Sequence, residues 1–315
     1  MHISEGSIAL LLSMAIPRLI ETVVVDVSVD GLVRVELRVE VVILCIAGFV
    51  KMEGIVEGGG SGAGRYTLRP ERLSNEDILF CIDVDPESMV EMKAAMGPNG
   101  RPLTRLDSIK QAILLFINAK LTINPEHRFA FATLGKAASW LRREFSSEVE
   151  SAHAALRILS AIPSSGNADL TGLFRIASHE AKKSRAQNRI LRVVLIYCRS
   201  SVRPQNNWPV NQKLFTLDVV YLHDKPGPDN CPQEVYDALV DSLEHVSEFE
   251  GYILESGQGL TRVLFRHMCV LLSHPQQRCP QDHLDIPKAL TKRLPAADTV
   301  NGEDSVTVSG GKSDH

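Results

Sequence analysis

Apolar residues along this chain follow two alternating patterns. Ile78 to Val84 (ILFCIDV) is a near-continuous apolar run bounded by polar residues, which predicts a strand buried on both faces. From Arg105 to Leu121, Leu106, Ile109, Ile113, Phe116 and Ile117 recur at spacings of three and four and form one stripe of an amphipathic helix. Phe129 to Leu134 and Ala137 to Leu141 flank Gly135-Lys136 and predict a hairpin, after which Val149, Ala152, Leu156 and Leu159 return to the helical period. Helix resumes from Leu170 to about Ser178. Ile190 to Cys198 and Leu214 to Leu222 are two further strands, and Val235, Leu239 and Leu243 mark a helix after Pro232. Tyr252 to Leu254 is a short last strand, and Leu260 to Leu272 a closing apolar helix. Strands alternating with helices in this way predict an α/β domain with one doubly wound, mostly parallel sheet.

The two ends read differently. Val23 to Leu37 alternates around Asp30-Gly31, a pair suited to a type I′ turn, and predicts a β-hairpin that needs a partner surface. Glu57 to Arg65 (EGGGSGAGR) is a flexible Gly-rich linker. Beyond Pro275 come Pro280, Pro287, Pro295 and a polar end too poor in apolar residues to build a core. The expected division is therefore an amino-terminal segment over 1–65, the α/β domain over 71–275 and a flexible tail over 276–315.

Composition narrows the function classes. With 44% hydrophobic and 23% charged residues the chain is globular, and 34 Lys plus Arg against 38 Asp plus Glu gives a net charge of -4. A dedicated nucleic-acid binder would carry a basic excess, so direct nucleic-acid binding is not expected. The longest apolar stretches, Ile8 to Ile20 and Val39 to Val50, are interrupted and too short to span a bilayer, and no Lys or Arg precedes Arg18 as a secretory signal would require. Six widely spaced cysteines without a C-x-x-C pair read as reduced thiols of an intracellular protein.

Candidate chemistry is sparse. In open α/β sheets ligands gather at the carboxyl ends of strands, and the loop after Ile78 to Val84 carries Asp83, Asp85 and Glu87. Three carboxylates within five residues suit a hard divalent cation; they equally suit a solvated turn capping a helix start. Gly58 to Gly64 lacks the Gly-Lys-Ser/Thr of a phosphate loop, and Pro86-Glu87 stand where a dinucleotide fingerprint would need glycine. His267, Cys269, His274, Cys279 and His283 match no zinc spacing and read as ordinary core or surface residues. Seven basic residues (Lys182, Lys183, Arg185, Arg189, Arg192, Arg199, Arg203) run without an acidic neighbour, as a solvated flank or as an anion-binding surface.

Read strand by strand, ILFCIDVDPES, LDSIKQAILLFI, HRFAFATLGKAASWL, GNADLTGLFRIAS, RVVLIYCRSSVRPQ, FTLDVVYLHD and MCVLLSHPQQRCPQ resemble the von Willebrand factor A-like scaffold subunits of the BRISC deubiquitinase complex and the related breast-cancer susceptibility protein A complex. The similarity runs from about Asp77 to Gln281, and its most specific parts are Leu217 to His223 and Leu271 to Arg278. The resemblance implies a von Willebrand factor A-like, Rossmann-type fold. Metal-binding members of that superfamily use an Asp-x-Ser-x-Ser loop, a threonine from a later loop and an aspartate after the fourth strand. Here Asp83 matches the first position, Asp85 and Glu87 replace the serines, the threonine loop falls near Asn167 to Thr171, and Arg199-Ser200 stand where the last aspartate would be. A degenerate site is the implication, with no functional metal, no cofactor and no enzyme activity.

The resemblance further implies a scaffold that stabilises a metalloprotease-type deubiquitinase assembly cleaving lysine-sixty-three-linked ubiquitin. It would contact that assembly's subunit of ubiquitin-conjugating-like folds and serve ubiquitin signalling and the DNA-damage response in nucleus and cytoplasm, away from membranes. The end of the last helix and the tail over 276–315 would serve as the docking element, with Leu271, His274, Pro275 and Arg278 as the implied partner-binding residues, although Leu271 equally suits a core and the His-Pro step a helix end. The alternative expectation is a metal-dependent A-domain ligand-binding module built on the loop at Asp83.

Overall fold

The computed structural model describes residues 73–97, 100–163, 166–209 and 213–284. The hairpin expected over Val23 to Leu37, the Gly-rich linker and the tail beyond Leu284 lie outside these residues.

Among the described residues, ten strands and five α-helices follow one another as β1 (Asn75–Asp83), β2 (Glu91–Met96), β3 (Pro102–Thr104), α1 (Arg105–Ile123), β4 (Arg128–Leu134), β5 (Ala138–Ser146), α2 (Val149–Ile158), β6 (Ala168–Asp169), α3 (Thr171–Ala186), β7 (Arg189–Tyr197), β8 (Pro204–Gln205), β9 (Thr216–Leu222), α4 (Pro232–Val246), β10 (Ile253–Ser256) and α5 (Thr261–Val270). Six strands make the central sheet in the order β10-β9-β7-β1-β4-β5. All neighbours are parallel except β4 and β5, which close one edge as an antiparallel hairpin. Numbering those six strands in chain order gives 3-2-1-4-5-6 from the β5 edge, the doubly wound order. The expected mostly parallel sheet is therefore present, and its winding reverses between β1 and β7.

Both faces of the sheet are covered. On one, Leu79, Cys81, Val193, Leu195, Leu217 and Val219 pack with Phe174, Ala177, Val235 and Leu239 of α3 and α4. On the other, Phe80 stacks on Phe131 and meets the edge of Phe116 from α1, which itself packs against α2 and α5. This double cover explains why β1 reads as an apolar run without alternation. The α1 stripe is buried as the periodicity predicts, and the helix starts at a capping box: Asp107 N–H donates to Thr104 Oγ1 at 3.1 Å and Thr104 N–H to Asp107 Oδ2 at 3.1 Å.

Several elements depart from the sequence reading, β5 among them, which runs to Ser146 and not to Leu141. Helix α3 continues to Ala186, beyond the Ser178 expected, because Ala181 and Ser184 keep its buried face going. The short β2–β3 pair lacks an alternating signature and was not foreseen. The segment after α5, expected to begin a free tail at residue 276, instead packs on the domain as far as Gln281. The Gln281 amide Nε2 donates to Ile253 O at 2.7 Å while its Oε1 accepts from Ile253 N–H at 2.7 Å. A polar segment can be buried where its side chains supply backbone partners, which hydropathy does not register.

Candidate functional site

Ligands of doubly wound sheets bind in the crevice at the switch point, here between the carboxyl ends of β1 and β7. That crevice is filled by Arg199. Its side chain is fully buried, and its Nε lies 3.1 Å from each oxygen of Asp83, with Nη2 at 3.0 Å from Oδ1. The remaining donors bind loops: Nη1 donates to Asn167 O at 2.6 Å, and Nη2 to Gly135 O at 2.6 Å and Leu134 O at 3.3 Å. One guanidinium thus ties together the ends of β1 and β4 and the loop before β6.

The other loop carboxylates are engaged as well. Asp83 also accepts from the backbone N–H groups of Asp85 and Cys198, each at 3.1 Å. Asp85 caps the turn that follows by accepting from Glu87 N–H at 3.3 Å, and Glu87 accepts from Ser200 N–H at 2.9 and 3.1 Å. Arg105, missed by the sequence reading, pairs with Asp224, while Tyr221 donates its hydroxyl proton to Arg199 O at 3.2 Å. Burial holds the Asp83 carboxyl above its usual range, an effect that Arg199 and the two backbone donors offset only in part. Burial likewise pushes the thiols of Cys81 and Cys198 up, away from the thiolate a nucleophile needs.

These residues do not fit a metal. A divalent cation takes a shell of oxygens, and the oxygens of Asp83 are committed to a cation the chain itself supplies. The Thr171 hydroxyl, from the loop where the threonine ligand is expected, accepts from Asn207 N–H at 2.9 Å. At the degenerate loop Arg199 neutralises Asp83, and backbone N–H groups satisfy Asp85 and Glu87. Among the described residues no group of three or more His, Cys, Asp or Glu is arranged to hold an ion, the histidines and cysteines from His267 to His283 included.

A second cluster lies at the opposite, amino-terminal ends of the strands. Glu76 of β1 is fully buried and pairs with Lys120 of α1 and with Arg192 of β7 at 3.3 Å. Arg192 also donates to Asp218 of β9 at 2.6 Å, and Asp218 accepts both ends of Arg278 at 2.6 and 3.0 Å. Asp77 binds Arg128 and Arg189. Desolvation opposes ionisation of Glu76, yet the charges of Lys120 and Arg192 hold its carboxyl well below the usual range. The basic stretch from Lys182 to Arg203 is dispersed by this arrangement: Arg189, Arg192 and Arg199 are buried in ion pairs, so no continuous basic surface forms.

The four partner-binding candidates all turn inward. Leu271 is wholly buried and its carbonyl accepts from Arg192 at 2.6 Å. His274 is buried with Nε2 2.9 Å from Ser74 O, and Pro275 is buried behind it. Arg278 stacks over Tyr252 at 4.4 Å from the ring centroid while gripping Asp218. Their side chains hold a strap, residues 271–281, across the sheet and do not present a contact surface.

Strand order and the antiparallel edge define a doubly wound, Rossmann-type α/β domain, and its switch-point crevice is closed by an internal cation. Over about two thirds of its length the chain is similar to curated proteins named BRISC and BRCA1-A complex member 1. The relative from Xenopus tropicalis is 26% identical over 233 residues, covering 69% of this chain and 71% of its own, and that from Homo sapiens is 25% identical over 240 residues, covering 70% of each. No family model matches the chain. Solved structures similar to it include the VWA domain of SpRpn10, with TM-score 0.41 and 15% identity over 61% of this chain and 94% of that one. The PilB minor pilin of Streptococcus sanguinis gives TM-score 0.45 and 10% identity over 66% and 62%.

Proposed function

We propose that this chain is a non-catalytic scaffold subunit of an assembly of the kind its curated relatives are named for. In this reading it stabilises a metalloprotease-type deubiquitinase that cleaves lysine-sixty-three-linked ubiquitin, holds the subunit built of ubiquitin-conjugating-like folds, and acts in ubiquitin signalling and the DNA-damage response in nucleus and cytoplasm. The observation that carries the non-catalytic part is Arg199 in the switch-point crevice, with every polar arm bonded to the chain itself. A pocket occupied by its own side chain leaves its surfaces for partners. Leu271, His274, Pro275 and Arg278 enter this reading as the frame that holds the docking region in shape.

The test is to express the tagged full chain in cells, purify it and identify its companions by mass spectrometry. The expected result is recovery of a metalloprotease-type deubiquitinase and a ubiquitin-conjugating-like subunit in stoichiometric amounts, with no ubiquitin-chain hydrolysis by the isolated chain. Recovery of the chain alone, or turnover by it, would overturn the reading.

A further inference from the structure

The two edges of the central sheet are treated differently. At β10 the Gln281 side-chain amide bonds both the N–H and the carbonyl of Ile253 and so imitates a neighbouring strand. At the other edge, β5 runs for nine residues, and among the described residues no strand pairs with its outer side. Unpaired strand edges are templates for an extended segment of another chain.

Three observations say what would pair there. The β5 edge and the turn before it carry Lys136, Arg142 and Arg143 against the single acid Glu144. Arg142 Nε is shielded from solvent without any hydrogen-bond partner, so this donor lacks an acceptor. Arg143 is 62% exposed and only 3.8 Å from its one carboxylate, Glu180. Beside the strand's end a cleft of about 470 Å³ runs inward across β4, lined by Arg143 and Glu144 of β5, Arg128 of β4, Asp77 of β1 and Glu180 and Lys183 of α3, with its cations paired to its acids.

We propose that the outer edge of β5 receives an extended, acidic segment of a partner protein, which adds as a further antiparallel or parallel strand and places a carboxylate against Arg142. Backbone hydrogen bonds would supply affinity, and the guanidinium groups of Arg142 and Arg143 would supply the preference for acidic sequence. The register shifts between β4 and β5 and the charges on the edge also discourage pairing between two copies of this chain, since their like-charged edges would meet.

In the test the full chain is titrated with a soluble nine-residue peptide alternating glutamate and valine, and with its lysine-for-glutamate counterpart, while amide hydrogen exchange is followed. The glutamate peptide should slow exchange within Ala138–Ser146, leave Ile253–Ser256 unchanged, and bind about tenfold more tightly than the lysine peptide. Arg142→Glu combined with Arg143→Glu should reverse that order, and the milder Arg142→Gln should weaken the acidic peptide alone. Equal affinity for the two peptides, no binding of the acidic one, or protection confined to other strands overturns the proposal. The wild-type measurement decides the matter by itself should the double variant fail to fold.

Discussion

Arg278 and Asp218, sixty residues apart, form a two-pronged ion pair with both side chains wholly buried. It joins the two segments that most strongly carried the family resemblance, Leu217 to His223 and Leu271 to Arg278. The Leu-Asp-Val pattern and the Pro-Gln-Gln-Arg pattern are two halves of one contact. Replacing Arg278 with alanine leaves Asp218 facing Arg192 alone and frees the strap, at a cost of about 3–5 kcal/mol. Urea denaturation should show this loss in wild-type background; Arg278→Lys should recover part of the stability but not the second prong.

At the opposite pole, Arg199→Ala strands Asp83 in the crevice without a counter-charge. A similar loss of about 3–5 kcal/mol is expected. Millimolar Mg²⁺ or Mn²⁺ should restore part of it, because the Asp83 oxygens that Arg199 held then become available. The wild-type melting temperature should not move with either ion. A metal-dependent rise in the wild type would show that Arg199 does not close the site.

Stability should fall on mild acidification. His127 and His267 are buried and kept neutral, each pushed down to about 4 from 6.5, chiefly by desolvation. Between those values the unfolded chain binds protons that the folded one refuses, so stability declines as pH drops from 6.5 toward 4. The slope is up to about 1.4 kcal/mol per pH unit for each histidine. Glu76 adds a further loss below 4.5, where its unfolded carboxyl protonates and the folded one does not. Urea midpoints at pH 7 and pH 5 measure the slope, and His267→Leu should flatten it.

Gly251 marks a close approach. A Cβ there would sit 2.2 Å from Leu217 O, which belongs to the sheet and cannot swing aside. Gly251→Ala should therefore cost about 1–3 kcal/mol by displacing β9 from β10. Gly257→Ala would meet only the His223 ring, at 2.7 Å, and a ring can turn away. Thermal melts of the two variants should differ accordingly.

The sheet and its helices were legible because burial on both faces leaves long apolar runs, as at Ile78 to Val84, and because α1 keeps its stripe in register from Leu106 to Ile117, about three turns. The charged interior was not. Glu76, Arg192 and Asp218 sit on adjacent strands at positions that hydropathy assigns to solvent, and each is neutralised by a residue 26 to 116 positions away. The same blindness made residues 276–281 look like a tail and made seven basic residues look like one surface. At the switch point the substitution of Arg199 for an acid was visible in the sequence; its bonds to Leu134, Gly135 and Asn167 required the fold.

Ser74 and the strap meet directly: Ser74 N–H donates to Gln276 Oε1 at 3.1 Å, and Ser74 O lies 2.9 Å from His274 Nε2. The lead-in to the first strand and the turn after the last helix thus share one hydrogen-bonded junction, at the pole away from Arg199. A short covalent bridge across that junction would hold the two together with little distortion.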